Sequence, residues 1–168
     1  LDGRDTAPAV ASQYLGAVEA RFRELKLGAV ATVSGRYYAM DRDKRWDRTR
    51  RAFEAMTEGK GLTAASAREA VEAAYARGET DEFVQPTVVT GPDGRPLATI
   101  RHGDSVLNFN FRPDRARQMT RALTDPAFTD FPRGFIPKIA YTCLTRYDAA
   151  LPLPVAFPPV NDGVSGTI

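Results

Sequence analysis

The sequence is poor in the residues that usually bind metals or form covalent cross-links. It contains one cysteine, Cys143, and one histidine, His102, among 168 residues. A single thiol cannot form an internal disulfide and is typical of a reducing compartment, whereas zinc and manganese sites usually need several His, Cys or carboxylate ligands together. The sequence therefore predicts no metal bound by this chain alone. It also predicts a buried, unreactive thiol within the apolar run IAYTCL and a cytoplasmic location.

Long apolar runs are missing as well. No run approaches the roughly 18 residues that a membrane-spanning helix needs, so we expect no membrane partner. The opening LDGRDTAPAV lacks a basic stretch followed by an apolar core, which argues against a signal peptide, and it lacks an initiator Met, which suggests that the chain was cut from something longer. With 43% hydrophobic and 26% charged residues, the chain is typical of one soluble globular domain.

Helical and strand patterns alternate along the chain. Apolar residues at helical spacing, a possible Thr6 cap and an S-x-x-E capping box from Ser66 to Glu69 predict four helices, over residues 6–26, 46–56, 66–77 and 116–123. Apolar runs predict strands, over residues 29–33, 105–111 and 136–144, with a β-hairpin pairing 87–90 and 97–100 around GPDGRP. Residues 34–45 are predicted to be a polar loop and 151–160 a proline-rich linker. This alternation predicts an α/β fold with a mostly parallel sheet flanked by helices and one hairpin.

Three segments combine arginine and aspartate; two of them leave the end of a strand, and the first would do so too if a strand preceded it. DGRDT opens the chain, SGRYYAMDR follows the strand AVATV, and FRPDR ends the strand SVLNFNF. In open α/β sheets, ligands bind outside the carboxyl ends of the strands. We therefore expect five arginines to gather along one rim, namely Arg4, Arg36, Arg42, Arg112 and Arg115.

Such a cluster of guanidinium groups has a natural ligand. Five like charges repel one another and are tolerable only if an anion balances them, and bidentate arginine contacts suit carboxylate and phosphate groups. Asp5 lies among these cations, whose field should keep it ionised and able to accept a proton from a nearby hydroxyl. The pattern favours a small ligand with several negative charges.

Other interpretations of the same residues remain open. Loop arginines are usually solvated, an aspartate beside an arginine is often only an ion pair, and several side chains could be helix caps, loop braces or core residues, namely Asp41, Asp104, Asp114, Tyr37 and Tyr38. The basic run over residues 42–51 could attract a phosphate backbone. However, Trp46 and Phe53 lie within it at helical spacing, and the glycine-framed aromatic pattern of an RNA-binding strand is missing. We therefore expect no nucleic-acid partner.

Several long motifs carry a resemblance to one family. LDGRDT, ATVSGRYYAMDRDKRWDR, GETDEFVQPT, GDSVLNFNFRPDRARQ and PVAFPP occur in the order and spacing of the cofactor-independent phosphoglycerate mutases and span nearly the whole chain. The resemblance implies a cytoplasmic isomerase that interconverts 3-phosphoglycerate and 2-phosphoglycerate in glycolysis and gluconeogenesis through a phosphoserine intermediate. It also implies two domains. One is similar to alkaline phosphatase and holds two metal ions, usually manganese, with a nucleophilic serine; the other is an inserted domain that grips the glycerate.

The same resemblance assigns parts and roles to this chain. Residues 1–158 match the inserted domain without its N-terminal part, and 159–168 would be a hinge or tail. The substrate-binding positions carried over are Arg4, Asp5, Arg36, Arg42, Arg112 and Arg115, and Asp5 would deprotonate the substrate hydroxyl. The family's metal ligands, serine, substrate lysine and substrate-contacting histidine lie outside this chain, and His102, which is not that histidine, should lie on the surface.

These omissions limit what the chain should do by itself. We expect at best weak phosphoglycerate binding without catalysis, and an exposed sheet edge where leading strands are missing. Two alternatives remain, a non-catalytic phosphate- or carboxylate-binding module and the cap of a related phosphomutase or phosphatase.

Overall fold

Residues 1–157, which the computed structural model describes, form five α-helices, five short strands and one 3₁₀ turn at Asp81–Phe83. The helices are α1 (Ala11–Leu25), α2 (Arg36–Ala39), α3 (Trp46–Glu58), α4 (Ala67–Ala76) and α5 (Pro113–Thr124). The strands are β1 (Thr32–Val33), β2 (Leu62–Ala64), β3 (Thr87–Val89), β4 (Ser105–Asn108) and β5 (Ala140–Cys143). The predicted α/β class is confirmed.

The strands lie in two small sheets. In the first, β3 is central and pairs in parallel with β2 and antiparallel with β1; in the second, β4 and β5 are parallel. The predicted hairpin is reduced to one antiparallel bridge between Thr90 and Pro96. Because proline has no N–H to donate, a regular ladder cannot continue through Pro96.

Two hydrophobic clusters support the two sheets. Small side chains dominate the first cluster, where Val71, Val84 and Val89 pack with alanines of α4 beside β1 and β3. Aromatic side chains dominate the second, where Phe53 and Phe131 pack with others beneath β4 and β5. Helix α3 contacts both β3 and α5, so it joins the two halves of the molecule.

Helix α1 begins later than predicted, because its cap comes from a distant residue. The predicted Thr6 cap is wrong: Thr6 Oγ1 instead accepts a bond of 3.2 Å from Gly3 N–H. Asp81 Oδ2 accepts the N–H groups of Val10 and Ala11 at 2.9 Å each. The first N–H groups of a helix have no partner within the helix, so Asp81 of the 3₁₀ turn caps the N-terminus of α1.

The predicted capping box of α4 is confirmed. Ser66 Oγ accepts Glu69 N–H at 3.1 Å, and Glu69 Oε2 accepts Ala65 N–H at 3.0 Å. Helix α3 likewise ends at Gly59, whose φ of 65° is the left-handed conformation that glycine adopts most easily.

Two segments predicted to be irregular carry structure. The predicted polar loop 34–45 contains the single turn of helix α2. In the predicted linker, residues 154–156 run along β5, where Cys143 N–H donates to Pro154 and Ala156 N–H donates to the Cys143 carbonyl, both at 2.9 Å. That part of the linker prediction is wrong. The predicted boundary after residue 158 and the predicted tail lie outside the described residues.

The one cysteine and the one histidine have the burial that the sequence predicts. Cys143 is buried, and burial raises the pKa of its thiol. His102 is exposed, and its Nδ1 accepts Lys138 N–H at 3.0 Å. Among residues 1–157, no helix has the length and apolar character needed to cross a membrane.

One side of β4 and its continuation is apolar and exposed. Leu107, Phe109 and Phe111 alternate along the chain and are 56%, 78% and 73% exposed. Among the described strands β4 pairs with β5 alone. The expected sheet edge where leading strands are missing stays a prediction.

Candidate anion-binding site

The 3₁₀ turn brings the first two arginine loops together. A Cβ atom on Gly3 would lie 2.5 Å from Glu82 N, and one on Gly35 would lie 2.2 Å from Glu82 O. Gly35 N–H also donates to Val84 O at 2.8 Å. Because only glycine permits such close backbone approach, the G of DGR and the G of SGR both pack against Asp81–Phe83.

The first residue completes this junction. The Leu1 amino group donates to Ser34 O at 2.6 Å, and Arg36 N–H donates to Leu1 O at 2.8 Å. The DGRD loop therefore leaves the same point of the fold as the loop after β1.

A buried guanidinium connects the two loops. Arg36 is 3% exposed, and its Nη1 donates to Asp2 Oδ1 at 2.6 Å and to Asp5 Oδ2 at 2.7 Å. Burial disfavours the charged form, but the hydrogen bonds to Asp5 and Asp2 outweigh it and raise the pKa of Arg36. Arg36 is thus a permanent cation that holds Asp5 in place.

Asp2 braces the DGRD loop from within. Its Oδ1 accepts the N–H groups of Arg4 and Asp5 at 3.1 Å each, besides the Arg36 contact. Burial would raise the pKa of Asp2, but the hydrogen bond from Arg36 and the two backbone donors lower it overall. Asp2 was not among the predicted site residues, although an aspartate before glycine is a common turn-forming signal.

The third arginine loop meets the first at the start of α5. Arg112, the N-cap residue, places Nη1 3.8 Å from Asp5 Oδ2 and Nη2 3.3 Å from Asp114 Oδ2. The same Asp114 oxygen accepts Arg42 Nη1 at 2.8 Å. The Arg42 hydrogen bond first, and Arg112 after it, lower the pKa of Asp114 to about 2. Asp114 therefore links two arginines that are distant in sequence.

Arg115 is held from the opposite side. Its Nη1 donates to Met40 O at 3.1 Å, while burial first, and then the nearby charges of Arg36 and Arg42, lower its pKa. Within residues 1–157, the buried Nε atoms of Arg36 and Arg115 have no hydrogen-bond partner. Unmet buried donors are costly.

A cavity of about 330 Å³ is lined by three of the five predicted arginines, whereas Asp5, Arg36 and Arg112 are not among its lining residues. It is lined by Arg4, Tyr37, Asp41, Arg42, Asp43, Arg48, Glu82, Phe83 and Arg115. The Arg48 guanidinium stacks on the Tyr37 ring, with its Cζ atom 3.7 Å from the ring centroid. Arg4 Nη1 lies 3.6 Å from Glu82 Oε1. A cavity of about 490 Å³ at the end of α1 is lined by none of the five predicted arginines, and one of about 600 Å³ beside β4 is lined by Arg115 alone among them. We therefore place the candidate site at the cavity that three of them line.

The predicted arginines and Asp5 therefore lie in one connected region, but one supporting argument was wrong. The sequence analysis required an anion to balance the arginines, whereas the protein's own carboxylates already lie between them, namely Asp2, Asp5, Asp114 and Glu82. Sequence reasoning also missed Arg48 and Glu82, since nothing local marks a residue that reaches the site only through folding.

The remaining side chains weighed in the sequence have structural partners. Asp104 accepts Arg101 N–H at 2.8 Å as a loop brace, and Tyr38 packs against the aromatic cluster. Within residues 1–157, no group of three or more His, Cys, Asp or Glu side chains is arranged to hold a metal ion.

Comparison with known proteins gives a consistent relationship. Residues 1–149 match the family described as BPG-independent PGAM N-terminus. The chain is 59% identical over 162 residues to the 2,3-bisphosphoglycerate-independent phosphoglycerate mutase of Symbiobacterium thermophilum, which covers 95% of this chain and 30% of that protein. It is 58% identical over 160 residues to that of Desulforudis audaxviator, which covers 95% of this chain and 31% of that protein.

A solved structure agrees in fold. A crystal structure of Leishmania mexicana phosphoglycerate mutase at low cobalt concentration matches with a TM-score of 0.90 and 33% identity, covering 94% of this chain and 31% of that chain. The chain thus spans less than a third of the length of these relatives.

Replacing Gly35 with alanine should separate the first two loops. The φ of Gly35 is −70°, which alanine adopts freely, so the cost is the steric clash with the Glu82 carbonyl. We expect Gly35→Ala to lower the free energy of unfolding by about 3 kcal/mol in urea titrations. Gly16→Ala is the matched control, because a Cβ there meets nothing within 4 Å, and it should raise the stability by about 0.5–1 kcal/mol. Equal effects of the two changes would contradict the packing described for the 3₁₀ turn.

The pKa of Asp114 should report its two arginine partners. Since the folded-state pKa is about 2 rather than 3.8, ionised Asp114 stabilises the fold above pH 3.8, and this contribution is lost as the pH falls toward 2. A carbon-13 NMR titration of the Asp114 carboxyl should show the low midpoint, and Arg42→Gln should move it toward 3.8. Arg95→Gln, in a distant turn, should leave it unchanged. A midpoint near 3.8 in the unaltered protein would disprove the Arg42 contact.

Proposed function

Since the chain belongs to the family of the N-terminal region of BPG-independent phosphoglycerate mutases, we propose that it supplies the substrate-binding part of an isomerase that interconverts 3-phosphoglycerate and 2-phosphoglycerate. Such a reaction serves glycolysis and gluconeogenesis. The single observation that carries the proposal is the convergence of Arg36, Arg42 and Arg112 on two carboxylates, Asp5 and Asp114, beside an arginine-lined cavity.

The cavity has the chemistry of a site for a small polyanion. A phosphoglycerate carries a phosphate and a carboxylate, and the planar guanidinium group can bind either with paired N–H donors. Arg4, Arg42 and Arg115 line the cavity and Arg112 lies beside Asp114, so we assign them to the anionic groups of the ligand. Arg36 is buried against Asp5. We propose that it contributes its charge and holds Asp5 toward the ligand.

Asp5 is the proposed general base. Its Oδ2 is held by Arg36 at 2.7 Å, yet 62% of its side chain is exposed and can be reached by a ligand. We propose that its carboxylate takes the proton of a glycerate hydroxyl, whose oxygen then accepts the phosphoryl group from a phosphoserine of the enzyme. The glycerate remains bound between the two transfers, so the same arginines must hold both isomers.

The serine and the metals of this reaction are proposed to lie outside this chain, on a phosphatase-like catalytic domain of the same polypeptide. Residues 1–157 do not fit a metal centre, since they offer no suitable ligand group, and we derive no step from one. We propose two manganese ions on that domain, no nucleic-acid partner, and a cytoplasmic location, which the single buried thiol favours.

One alternative has an observation in its favour. The site's own carboxylates already balance its arginines, as expected of a module that binds phosphate or carboxylate weakly without catalysis. The cap of a related phosphomutase or phosphatase would share the arginines but would prefer a different phosphate ester.

Ligand preference separates these candidates. Calorimetry with 3-phosphoglycerate, inorganic phosphate and a sugar phosphate should show the tightest binding for 3-phosphoglycerate. Loss of one charged hydrogen bond in Arg42→Gln should weaken it about tenfold or more. Arg95→Gln, which keeps the site intact, is the control. Equal weak binding of all three ligands would favour the generic anion module, and tightest binding of the sugar phosphate would favour a related phosphomutase.

Turnover tests the role of Asp5. When the complementary domain is supplied, Asp5→Asn should lower mutase turnover by about 100-fold or more, because the hydroxyl loses its proton acceptor. Binding of 3-phosphoglycerate should persist, since asparagine keeps the shape of the side chain. Asp93→Asn, in a distant exposed turn, should turn over normally. An unchanged rate in Asp5→Asn would rule out this base.

A further inference from the structure

The loop that carries Arg42 is hydrogen-bonded to two buried polar side chains, one from the loop itself and one from α5. Residues 40–45 connect α2 to α3, and Asp41, one of these residues, is 4% exposed. Gln118 of α5 is 6% exposed and packs against it. Polar groups this deeply buried are costly unless they are fully hydrogen-bonded. Their bonds therefore indicate what they hold.

Gln118 uses both ends of its amide. Its Nε2 donates to Asp41 Oδ2 at 2.8 Å and to Thr49 Oγ1 at 2.9 Å, and its Oε1 accepts Lys44 N–H at 2.7 Å. Asp41 Oδ2 in turn accepts Asp43 N–H at 3.1 Å and Arg45 N–H at 2.9 Å. Three backbone donors of the loop, at 43, 44 and 45, thus end on two buried side chains.

This arrangement holds an unfavourable backbone conformation. Lys44 has a φ of 57°, which a side chain other than glycine adopts at a free-energy cost. Such a residue persists only where its surroundings over-determine it. The Lys44 N–H is the group that Gln118 binds, so the bond and the conformation coincide.

Helix α5 contacts the loop of residues 40–45 through three side chains. Asp114 binds the Arg42 side chain, Arg115 binds the Met40 carbonyl, and Gln118, one turn further along α5, binds the Lys44 N–H. Residues 114, 115 and 118 lie on one side of α5 because positions i and i+4 are neighbours on a helix. Three contacts therefore connect the loop to α5.

We propose that Gln118 and Asp41 are positioning residues, which we call the loop bracket, that set the place of the Arg42 guanidinium relative to Arg112 and Arg115. This inference rests on the proposed function for its ligand. Gln118 does not line the cavity, and Asp41, which does, has its Oδ2 atom occupied by the Gln118 amide and two backbone N–H groups of the loop. The loop bracket acts because binding and transfer of a charged group are sensitive to small displacements of the groups that hold it.

The first test uses the unaltered protein and needs no ligand. In amide hydrogen exchange, the Lys44 N–H should exchange about tenfold or more slowly than an unstructured amide, although it lies in a loop. The Asp43 and Arg45 amides should be protected with it. Exchange of Lys44 at the unstructured rate would overturn the proposal.

The second test compares two buried changes on α5. Gln118→Met keeps the volume of the side chain and removes its three bonds to the loop and to Thr49. Thr120→Val, two residues further on, removes an equally buried hydroxyl that bonds Tyr141 at 2.9 Å, away from the loop. Both variants should lose thermal stability, so a loss of melting temperature alone does not support the proposal.

Position and binding distinguish the variants. Gln118→Met should lower the NMR order parameter of the Arg42 Nε–H bond, because the loop becomes more mobile. It should also weaken 3-phosphoglycerate binding about tenfold. Thr120→Val should leave the order unchanged and the affinity within about twofold. If Gln118→Met does not fold, Gln118→Glu serves in its place. It keeps the acceptor for Lys44 but loses the donor to Asp41, and it should show the same loss of Arg42 order.

The outcomes separate this proposal from the proposed function. If the unaltered protein does not bind 3-phosphoglycerate, the proposed function fails, while amide exchange and Arg42 order still decide the role of the loop bracket. If it binds, and the Gln118 variants match Thr120→Val in affinity and Arg42 order, the loop bracket is refuted and the proposed function stands.

Discussion

The contact on which the candidate site depends is the buried Arg36 guanidinium between Asp2 and Asp5. Burying a charge is costly unless it is paired, and here one nitrogen atom serves two carboxylates from the start of the chain. The pairing is possible only because Gly3 and Gly35 both lie against the backbone of the 3₁₀ turn. Steric fit thus sets the distance, and electrostatics makes that distance favourable.

From this contact the charges alternate outward. Asp5 meets Arg112, Arg112 meets Asp114, and Asp114 meets Arg42. A network of this kind is organised before any ligand arrives, so a ligand would not have to gather repelling cations. It would instead compete with carboxylates that already satisfy them, which favours moderate affinity and rapid exchange. Such moderate affinity would suit the proposed role of holding two isomers in turn.

Prediction from the sequence succeeded where the deciding interactions are local. The capping box at Ser66 and the glycine end of α3 involve neighbouring residues, and both are confirmed. Prediction failed where a residue distant in sequence determines where an element begins or what it pairs with. Asp81 caps α1 from 70 residues away, and residues 154–156 pair with β5 across a turn of the chain. No local pattern carries either contact.

The candidate site divides in the same way. The sequence by itself determined the family relationship and which arginines would lie near one another and near Asp5. Both predictions depend on contiguous sequence motifs. The sequence also predicted that these arginines follow the carboxyl ends of strands in one sheet, whereas β1 is antiparallel to β3 and β4 lies in the second sheet. Only the tertiary structure decided that Arg36 is buried while Arg42 is half exposed, that the protein's own carboxylates balance both, and that Gln118 supports the Arg42 loop. Those facts depend on side chains separated by 31 to 77 residues. Burial and pairing over such separations arise from packing, which the order of residues along the chain does not display.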